Sequence, residues 1–140
     1  MKDYRLLIVT PERQFFDGRV VSARLPASDG YRGILPGHEP AAIALEAGEV
    51  GFDTAEGEHK VCAISFGFAV VNADMLRLIV QTAEWPEEID ENRVLAVKRQ
   101  AEERVLRHDS MKEYEMARAA IARAAARLYV KNHNSVNNGD

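Results

Sequence analysis

Glycine and proline are missing from one long stretch of this chain. None of the nine glycines and five prolines lies between Glu87 and Lys131, whereas eight glycines and four prolines lie between Pro11 and Gly67. These two residues punctuate strands and turns, and a long run without them that is rich in Ala, Glu, Arg and Leu favours helix. The distribution therefore predicts a β-rich first half and a helical second half, joined near Trp85.

Several other features are scarce, and each excludes a class of protein. Cys62 is the only cysteine, so no intrachain disulfide forms, which fits a reducing cytoplasm. No apolar run approaches the length that spans a bilayer. Residues 1–5 run straight into a strand-like stretch, so we expect neither a signal peptide nor a transit peptide. The formal charge of −4 does not favour general nucleic-acid binding.

Acidic and basic residues separate within the helical half. Residues 84–91 carry five carboxylates, whereas 116–138 contain no acid and four cations, Arg118, Arg123, Arg127 and Lys131. Opposite charges at the two ends of one segment attract each other or seek oppositely charged partners.

Short apolar segments separated by turn residues fill the first half. We predict at least seven strands with no helix between them, which implies an antiparallel sandwich or barrel. The clearest strands are 4–9, 19–25, 61–71 (broken or bulged at Gly67) and 75–82. The clearest turns are Asp17-Gly18, Asp29-Gly30, Glu56-Gly57 and Asn72-Ala73-Asp74.

A stiff loop over 29–40 lies inside the β half. Two prolines and two glycines frame Ile34 and Leu35, and we expect this apolar pair to turn inward and His38-Glu39 to lie at the surface. The ordinary interpretation is a turn with an exposed polar tip.

A catalytic interpretation of the same loop makes His38 a general base that Glu39 or Asp29 orients. No Ser or Cys nucleophile with a matching elbow accompanies it. The four histidines (38, 59, 108 and 133) lack metal-ligand spacing, so a zinc site is not expected.

The helical half contains two helix starts. Asp90 is a good N-cap, and a first helix follows to about 107–109, with Val94, Val97, Ala101 and Val105 as its apolar stripe. Ser110 and Glu113 form a capping box, so a second, antiparallel helix begins at Met111. Its stripe is Tyr114, Ala117, Ile121, Ala124 and Leu128.

The second helix is rich in alanine, which favours helix but offers little surface to bury. Only Tyr114, Ile121 and Leu128 are large on the stripe, and together they contribute about 5–9 kcal/mol at most. The opposite face (Glu115, Ala119, Ala122 and Ala126) suits packing against another helix. Periodicity leaves two alternatives open: a hairpin that permanently covers the sheet, or a detachable arm.

Five motifs, in order along the chain, resemble one family. They are Ile-Val-Thr-Pro-Glu at 8–12, Phe-Asp-Gly at 16–18, Gly-Ile-Leu-Pro-Gly-His at 33–38, Gly-Phe-Ala-Val-Val at 67–71 and Ile-Asp-Glu-Asn-Arg at 89–93. Together they resemble the epsilon subunit of bacterial F-type ATP synthases, over nearly the whole chain up to Lys131.

The resemblance implies a non-catalytic rotor subunit of a proton-translocating ATP synthase, on the cytoplasmic face of the bacterial membrane as a peripheral protein. Its implied partners are the gamma subunit, the c-ring and the alpha/beta hexamer, and it requires no cofactor. The helices are implied to fold back on the sandwich, or to extend along gamma and block hydrolysis. The implied c-ring contact is Tyr31, Arg32, Gly33 and His38. Proton and sodium remain alternatives as the coupling ion.

Two roles for the arm residues follow from the same resemblance. ATP is implied as a possible regulatory ligand, held by Ile89, Asp90, Arg93, Arg123 and Arg127, although Val94 and Gln100 depart from the related motif. Contact with a beta subunit in the extended state is implied for Arg118, Arg123 and Arg127.

The predicted organisation is α+β with segregated halves: an antiparallel β-sandwich over 1–84, a linker over 85–87, a helical hairpin over 88–131 and a disordered tail over 132–140. The rival interpretation is a stand-alone sandwich that binds other molecules and uses its helices to dimerise.

Overall fold

The computed structural model describes residues 2–138, as nine strands followed by two long helices. The strands are β1 Tyr4–Val9, β2 Gln14–Ala27, β3 Gly30–Ile34, β4 Ala41–Leu45, β5 Gly48–Thr54, β6 His59–Ile64, β7 Gly67–Val71, β8 Met75–Val80 and β9 Ala83–Glu84. A 3₁₀ turn at Pro86–Glu88 leads into α1 Glu91–Arg107 and α2 Met111–Asn138. The segregated α+β class is confirmed.

The strands follow the order β1-β8-β7-β4-β2-β5-β6-β9, with β3 also on β2 and an added β1–β2 pairing. Fourteen residues make β2 long enough to pair with β1 at one end and with β3 at the other, so it joins the two layers of the sandwich. The large side chains enclosed between the layers are fully buried: Leu6, Ile8, Leu25, Phe52, Leu76 and Leu78.

Two sequence-based details of the sheet are wrong. The sheet is mixed, because β1 and β8 run parallel. Asp17-Gly18 is not a turn but lies within β2, opposite Leu7 and Leu6. A Cβ on Gly18 would come within 2.9 Å of the Phe16 ring, so this glycine makes room for an aromatic side chain.

Other turn predictions hold. Residues 28–29, 55–57 and 72–74 separate successive strands. The predicted break in 61–71 falls at Ser65-Phe66, and Gly67 opens β7. A Cβ there would lie 2.1 Å from the carbonyl oxygen of Ile79, so only glycine permits this approach to β8.

The helix boundaries follow the predicted caps. Asp90 Oδ1 accepts a hydrogen bond from the backbone N–H of Arg93 at 3.2 Å, and Ser110 Oγ accepts one from that of Glu113 at 3.1 Å. His108 ends α1 with a left-handed backbone at φ 49°. The second helix continues to Asn138, so residues 132–138 are helical and not the disordered tail we predicted; 139–140 lie outside the described residues.

The hairpin is docked, with α2 packed against α1 on one side and against β5 and β6 on the other. A small apolar cluster joins Ala63 of β6, Ile89, Val94, Ala124 and Val130. Two expectations fail here. Val97 is 43% exposed, outside the seam, and Ala126, on the face expected to await another helix, is buried.

Candidate functional site

The loop predicted to contact a c-ring begins on β3, at an exposed corner of the sandwich. The guanidinium of Arg24 lies 4.2 Å from the centroid of the Tyr31 ring, and Arg32 donates to Asp29 at 2.9 Å. That hydrogen bond holds the pKa of Asp29 below its ordinary value. Gly33 pairs with Arg24 and is exposed. The corner is thus a polar and aromatic surface on a paired strand.

A buried anchor fixes the end of this corner. Ile34 is buried, and its carbonyl accepts a hydrogen bond from the Tyr4 hydroxyl at 2.7 Å. Burial raises the pKa of Tyr4. Leu35, which we expected to turn inward with Ile34, is instead 63% exposed, because β3 ends at Ile34 and Leu35 opens a turn closed by the His38 N–H.

The catalytic interpretation of this loop is wrong. His38 Nδ1 donates to the backbone carbonyl of Glu39 at 2.8 Å, and Asp29 pairs with Arg32. No carboxylate therefore orients the imidazole. The surface position expected for His38 and Glu39 is confirmed.

A second polar trio, which the sequence analysis missed, lies on the sheet face of β2, β5 and β6. Asp53 accepts hydrogen bonds from Ser22 Oγ at 2.9 Å and from His59 Nδ1 at 2.8 Å. Both hydrogen bonds hold the pKa of Asp53 below its ordinary value, and the one from His59 contributes most. Because the carboxylate lies between the other two groups, His59 does not reach Ser22, and the trio is not a nucleophile–base pair.

The arm and the sandwich enclose a cavity of about 270 Å³ between β9, the 3₁₀ turn, α1 and α2. Three of the five residues predicted to hold a nucleotide line it together: Asp90, Arg93 and Arg127. Ile89 is buried in the small apolar cluster, and Arg123 is half-buried and is not among the lining residues. The remaining lining residues are Glu84, Glu88, Val94, Val97 and Ala124.

A clasp formed by two cations of α2 holds the arm at this cavity. Arg127 Nε donates to Glu84 Oε1, with both side chains about one-quarter exposed, and Lys131 Nζ donates to the carbonyl oxygen of Pro86 at 3.1 Å. The attraction expected between the acidic segment 84–91 and the basic second helix is confirmed by the Arg127–Glu84 ion pair.

The hinge before α1 is tied separately to the β1–β2 turn. Both Glu88 oxygens accept from Arg13 Nη2 at 3.0 Å, and Glu88 Oε1 also accepts from the Trp85 N–H at 2.9 Å. The Arg13 hydrogen bond contributes most to lowering the pKa of Glu88. Trp85 stacks on Phe15 with ring centroids 4.3 Å apart. No local feature of the sequence indicates the contact between Arg13 and Glu88, since 75 residues separate them.

The first of the three arginines predicted to meet a beta subunit lies apart from the other two. Arg118 is exposed, with its guanidinium 5.8 Å from the ring centroid of Tyr114. Arg123 and Arg127 are half-buried one turn apart on α2. The proposed beta-subunit contact stays a prediction.

An apolar groove of about 460 Å³ runs along strands that α2 does not cover. Phe68 is 48% exposed there and Val70, next but one along β7, is 38% exposed. The other lining side chains come from the ends of β1 and β8 and from the connections beside them: Val9, Thr10, Pro11, Phe66, Ile79, Val80 and Gln81. Exposed apolar surface of this kind marks interaction sites.

Sequence comparison identifies the chain over almost its whole length. Residues 3–86 match the model of the ATP synthase delta/epsilon chain β-sandwich domain, and 87–132 match that of the long α-helix domain. The ATP synthase epsilon chain of Ruminiclostridium cellulolyticum is 38% identical over 94% of this chain and 98% of its own length. That of Bacillus velezensis is 35% identical over 93% and 98%.

Structural comparison agrees at the level of the fold. A chain in the cryo-EM structure of Euglena gracilis mitochondrial ATP synthase has a TM-score of 0.78 and 18% identity, covering 96% of this chain and 81% of that one. A chain of the Tetrahymena thermophila mitochondrial ATP synthase central stalk and c-ring has a TM-score of 0.60 and 13% identity, covering 93% and 97%. Within 2–138 no helix is long and apolar enough to cross a membrane. The chain belongs to the ATP synthase delta/epsilon chain family.

Proposed function

We propose that this chain is the epsilon-type rotor subunit of a bacterial proton-translocating ATP synthase, with a structural and regulatory role and no catalytic one. The observation that carries the proposal is the match of both family domains, in order, over residues 3–132. Relatives of the same length bear the name epsilon chain, so the likeness extends beyond one domain.

Two surfaces of the sandwich suit two partners. The apolar groove beside Phe68 offers exposed apolar surface that a permanent subunit contact can remove from water, and we assign it to the gamma subunit. The corner with Tyr31, Arg32 and Gly33 exposed and His38 half-buried is polar, which suits contact with polar loops of the c-ring. Both contacts would place the chain at the cytoplasmic face of the membrane, as a peripheral subunit.

The hairpin supplies the regulation. Among the residues of α2 up to His133, whose side chains are described, Val130 is the only buried one larger than alanine, so docking of this part removes little apolar surface from water. The Arg127–Glu84 pair and the Lys131 contact add modest electrostatic terms, because their side chains keep part of their exposure. A helix held in this way can leave the sandwich, extend along gamma into the alpha/beta hexamer and oppose hydrolysis.

A covalent lock tests this role directly. Glu84→Cys with Arg127→Cys places two thiols where the clasp now lies, and a disulfide or short thiol cross-linker joins them while buried Cys62 stays unreacted. In the assembled ATP synthase, locking should raise ATP hydrolysis toward that of the complex carrying a chain shortened before residue 88. Reversal of the lock is the control. Hydrolysis unchanged by both locking and shortening would contradict the proposal.

The c-ring contact has its own test. A photo-cross-linker at His38 should join the chain to a c-subunit loop in the coupled complex, whereas one at Glu56, in the β5–β6 turn, should not. Equal cross-linking from both positions would contradict the assignment of this corner.

As a second role we propose that the cavity beside the clasp accepts ATP as a regulatory ligand. Arg93 and Arg127 reach it from two helices, and paired arginines are suited to phosphate. In the docked state Glu84 already occupies Arg127, so ATP has to displace that carboxylate. Glu84 and ATP therefore compete for the same guanidinium.

Calorimetry on the isolated chain tests the competition. Glu84→Gln removes the competing charge and should bind MgATP more tightly than the wild type, and Arg127→Gln should bind it more weakly. Absence of heat up to millimolar MgATP in both the wild type and Glu84→Gln would contradict nucleotide binding.

A further inference from the structure

One carboxylate oxygen of Glu49, a half-buried residue of β5, lies enclosed beneath the docked arm. Glu49 Oε2 is shielded from solvent, and among the described residues no donor reaches it. Nearly all buried polar atoms in proteins have a partner, so an exception of this kind calls for an explanation. None of the contacts described above uses Glu49.

The second helix packs against the two strands beside this carboxylate, β5 and β6. Glu49 pairs across the sheet with Ala63, so both side chains lie on the same face of β5 and β6. Ala63 belongs to the apolar cluster with Ala124 and Val130 of α2.

Within the described part of the chain, no basic side chain hydrogen-bonds to Glu49 Oε2. Glu49 lines a cavity of about 430 Å³ at the C-terminal part of α2, where the charged or titratable lining side chains are Arg24, Tyr31, Asp53, His59 and His133. The Arg24 guanidinium lies over the Tyr31 ring, and Asp53 accepts hydrogen bonds from His59 and Ser22. Enclosing an unpaired carboxylate oxygen opposes the state that encloses it.

We propose that Glu49 is a built-in release element: one oxygen of its carboxylate is deprived of water only while α2 is docked, so it shifts the hairpin toward the undocked state. Departure of α2 uncovers the outer face of β5 and returns Glu49 to water, whereas the Arg127–Glu84 pair is lost in the same step. The two carboxylates therefore act in opposite directions, Glu84 holding the arm and Glu49 expelling it. The effect of Glu49 on docking is independent of the proposed function, and only the biological consequence of undocking rests on it.

Hydrogen exchange on the isolated full-length chain tests the release element. Glu49→Gln keeps the shape and removes the charge, and Glu49→Met also removes the polar atoms. Each should increase the docked-to-undocked ratio by about tenfold, seen as equally slowed exchange of the α2 amides near Ala124. Glu46→Gln is the matched control, because Glu46 precedes β5, is exposed and carries the same charge; it should leave exchange unchanged. Exchange that is unchanged or faster in either Glu49 variant overturns the proposal.

The isolated chain keeps this result separate from the proposed function. If Glu49→Gln slows undocking but the assembled ATP synthase hydrolyses ATP at the wild-type rate, the role of Glu49 stands and the inhibitory role of the arm fails. If the arm inhibits as proposed, the same variant relieves inhibition in the complex.

Discussion

The sandwich and the helical arm are both well-formed, but different kinds of side chain hold them. The sandwich encloses Leu, Ile and Phe side chains between two layers, with a phenolic hydroxyl bonded to a backbone carbonyl thirty residues away. The arm is docked through alanines, two buried valines, Ile89 and a few charged contacts at its base. The comparison teaches that secondary structure can be equally regular in two regions whose tertiary attachment differs widely.

This difference in packing gives the sandwich and the arm different mechanical roles. Helix propensity is a local property, so the alanine-rich α2 remains helical whether or not it touches the sheet. Strands have no such independence, because their hydrogen bonds and their buried side chains both come from other strands. The sandwich therefore folds as one unit, which we call the platform. The helical hairpin, which we call the lever, can undock from it while the sandwich stays folded.

The largest expected effect comes from breaking the platform. Leu78 lies on β8 between Ile8 of β1 and Ala69 of β7 and is fully buried. Leu78→Ala should lower the free energy of unfolding by about 3–5 kcal/mol, as the lost transfer energy and the remaining cavity add. Urea denaturation followed by circular dichroism measures it. Leu106→Ala, at an 85% exposed position of α1, should change it by less than about 0.5 kcal/mol.

Equal losses from the two substitutions would contradict the division into platform and lever. A second outcome sharpens it: Leu78→Ala should leave the local opening of α2 unchanged as long as the sandwich is folded, since Leu78 contacts neither helix in the apolar cluster of the arm.

The sequence was sufficient for those parts of the fold that local chemistry decides. The caps at Asp90 and Ser110 mark helix starts through their own side chains, and the change in glycine and proline content marks the boundary between halves. Prediction from the sequence failed where contacts between distant residues determine the structure. Gly18 looked like a turn residue, yet the Phe16 ring explains it, and no local signal indicates that β1 and β8 run parallel.

The candidate site follows the same division. Charge asymmetry along the helical half predicted the attraction that joins Arg127 to Glu84. The Arg13–Glu88 contact and the position of Glu49 beneath α2 depend on how the sheet folds, so a single sequence offered no indication of either. The prediction that Leu35 is buried was wrong, because the prolines and glycines that stiffen the loop do not determine which of two adjacent apolar residues turns inward.

A smaller effect should come from weakening the lever. Ile121 is half-buried on the seam of α2, one of its few large side chains. Ile121→Ala should destabilise the docked hairpin by about 1–2 kcal/mol, below the full cost of a buried site because part of the side chain is already in water. Amides of α2 should then exchange faster by about fivefold to thirtyfold while β8 stays protected. Ala125→Ser, at an exposed position of the same helix, is the control.

Loss of protection throughout the sandwich on Ile121→Ala would contradict an independent lever, because it would mean that arm and platform open together. Unchanged exchange in α2 would show that the alanines alone hold the helix.

The smallest effect lies at the hinge, where platform and lever meet. The hydrogen bond from Arg13 lowers the pKa of Glu88 below its unfolded value, so the contribution of Glu88 to stability is fully present above the ordinary glutamate pKa of about 4.3. It is lost as the pH falls through the lower folded value. Exchange of the amides over residues 86–90 should therefore increase on acidification below about pH 4, an effect kept small by the exposure of both side chains.

Two variants separate this contact from general acid effects. Arg13→Gln should return the Glu88 pKa, followed by the side-chain carbon shift in NMR, toward its ordinary value, and Glu88→Gln should remove the low-pH step in exchange. Trp85 stays stacked on Phe15 in both, so the hinge loses one polar tie and keeps its apolar one. If Glu88 titrates in the wild type as an ordinary glutamate does, the Arg13–Glu88 contact does not form in solution. The hairpin then moves about Trp85 instead of about the start of α1.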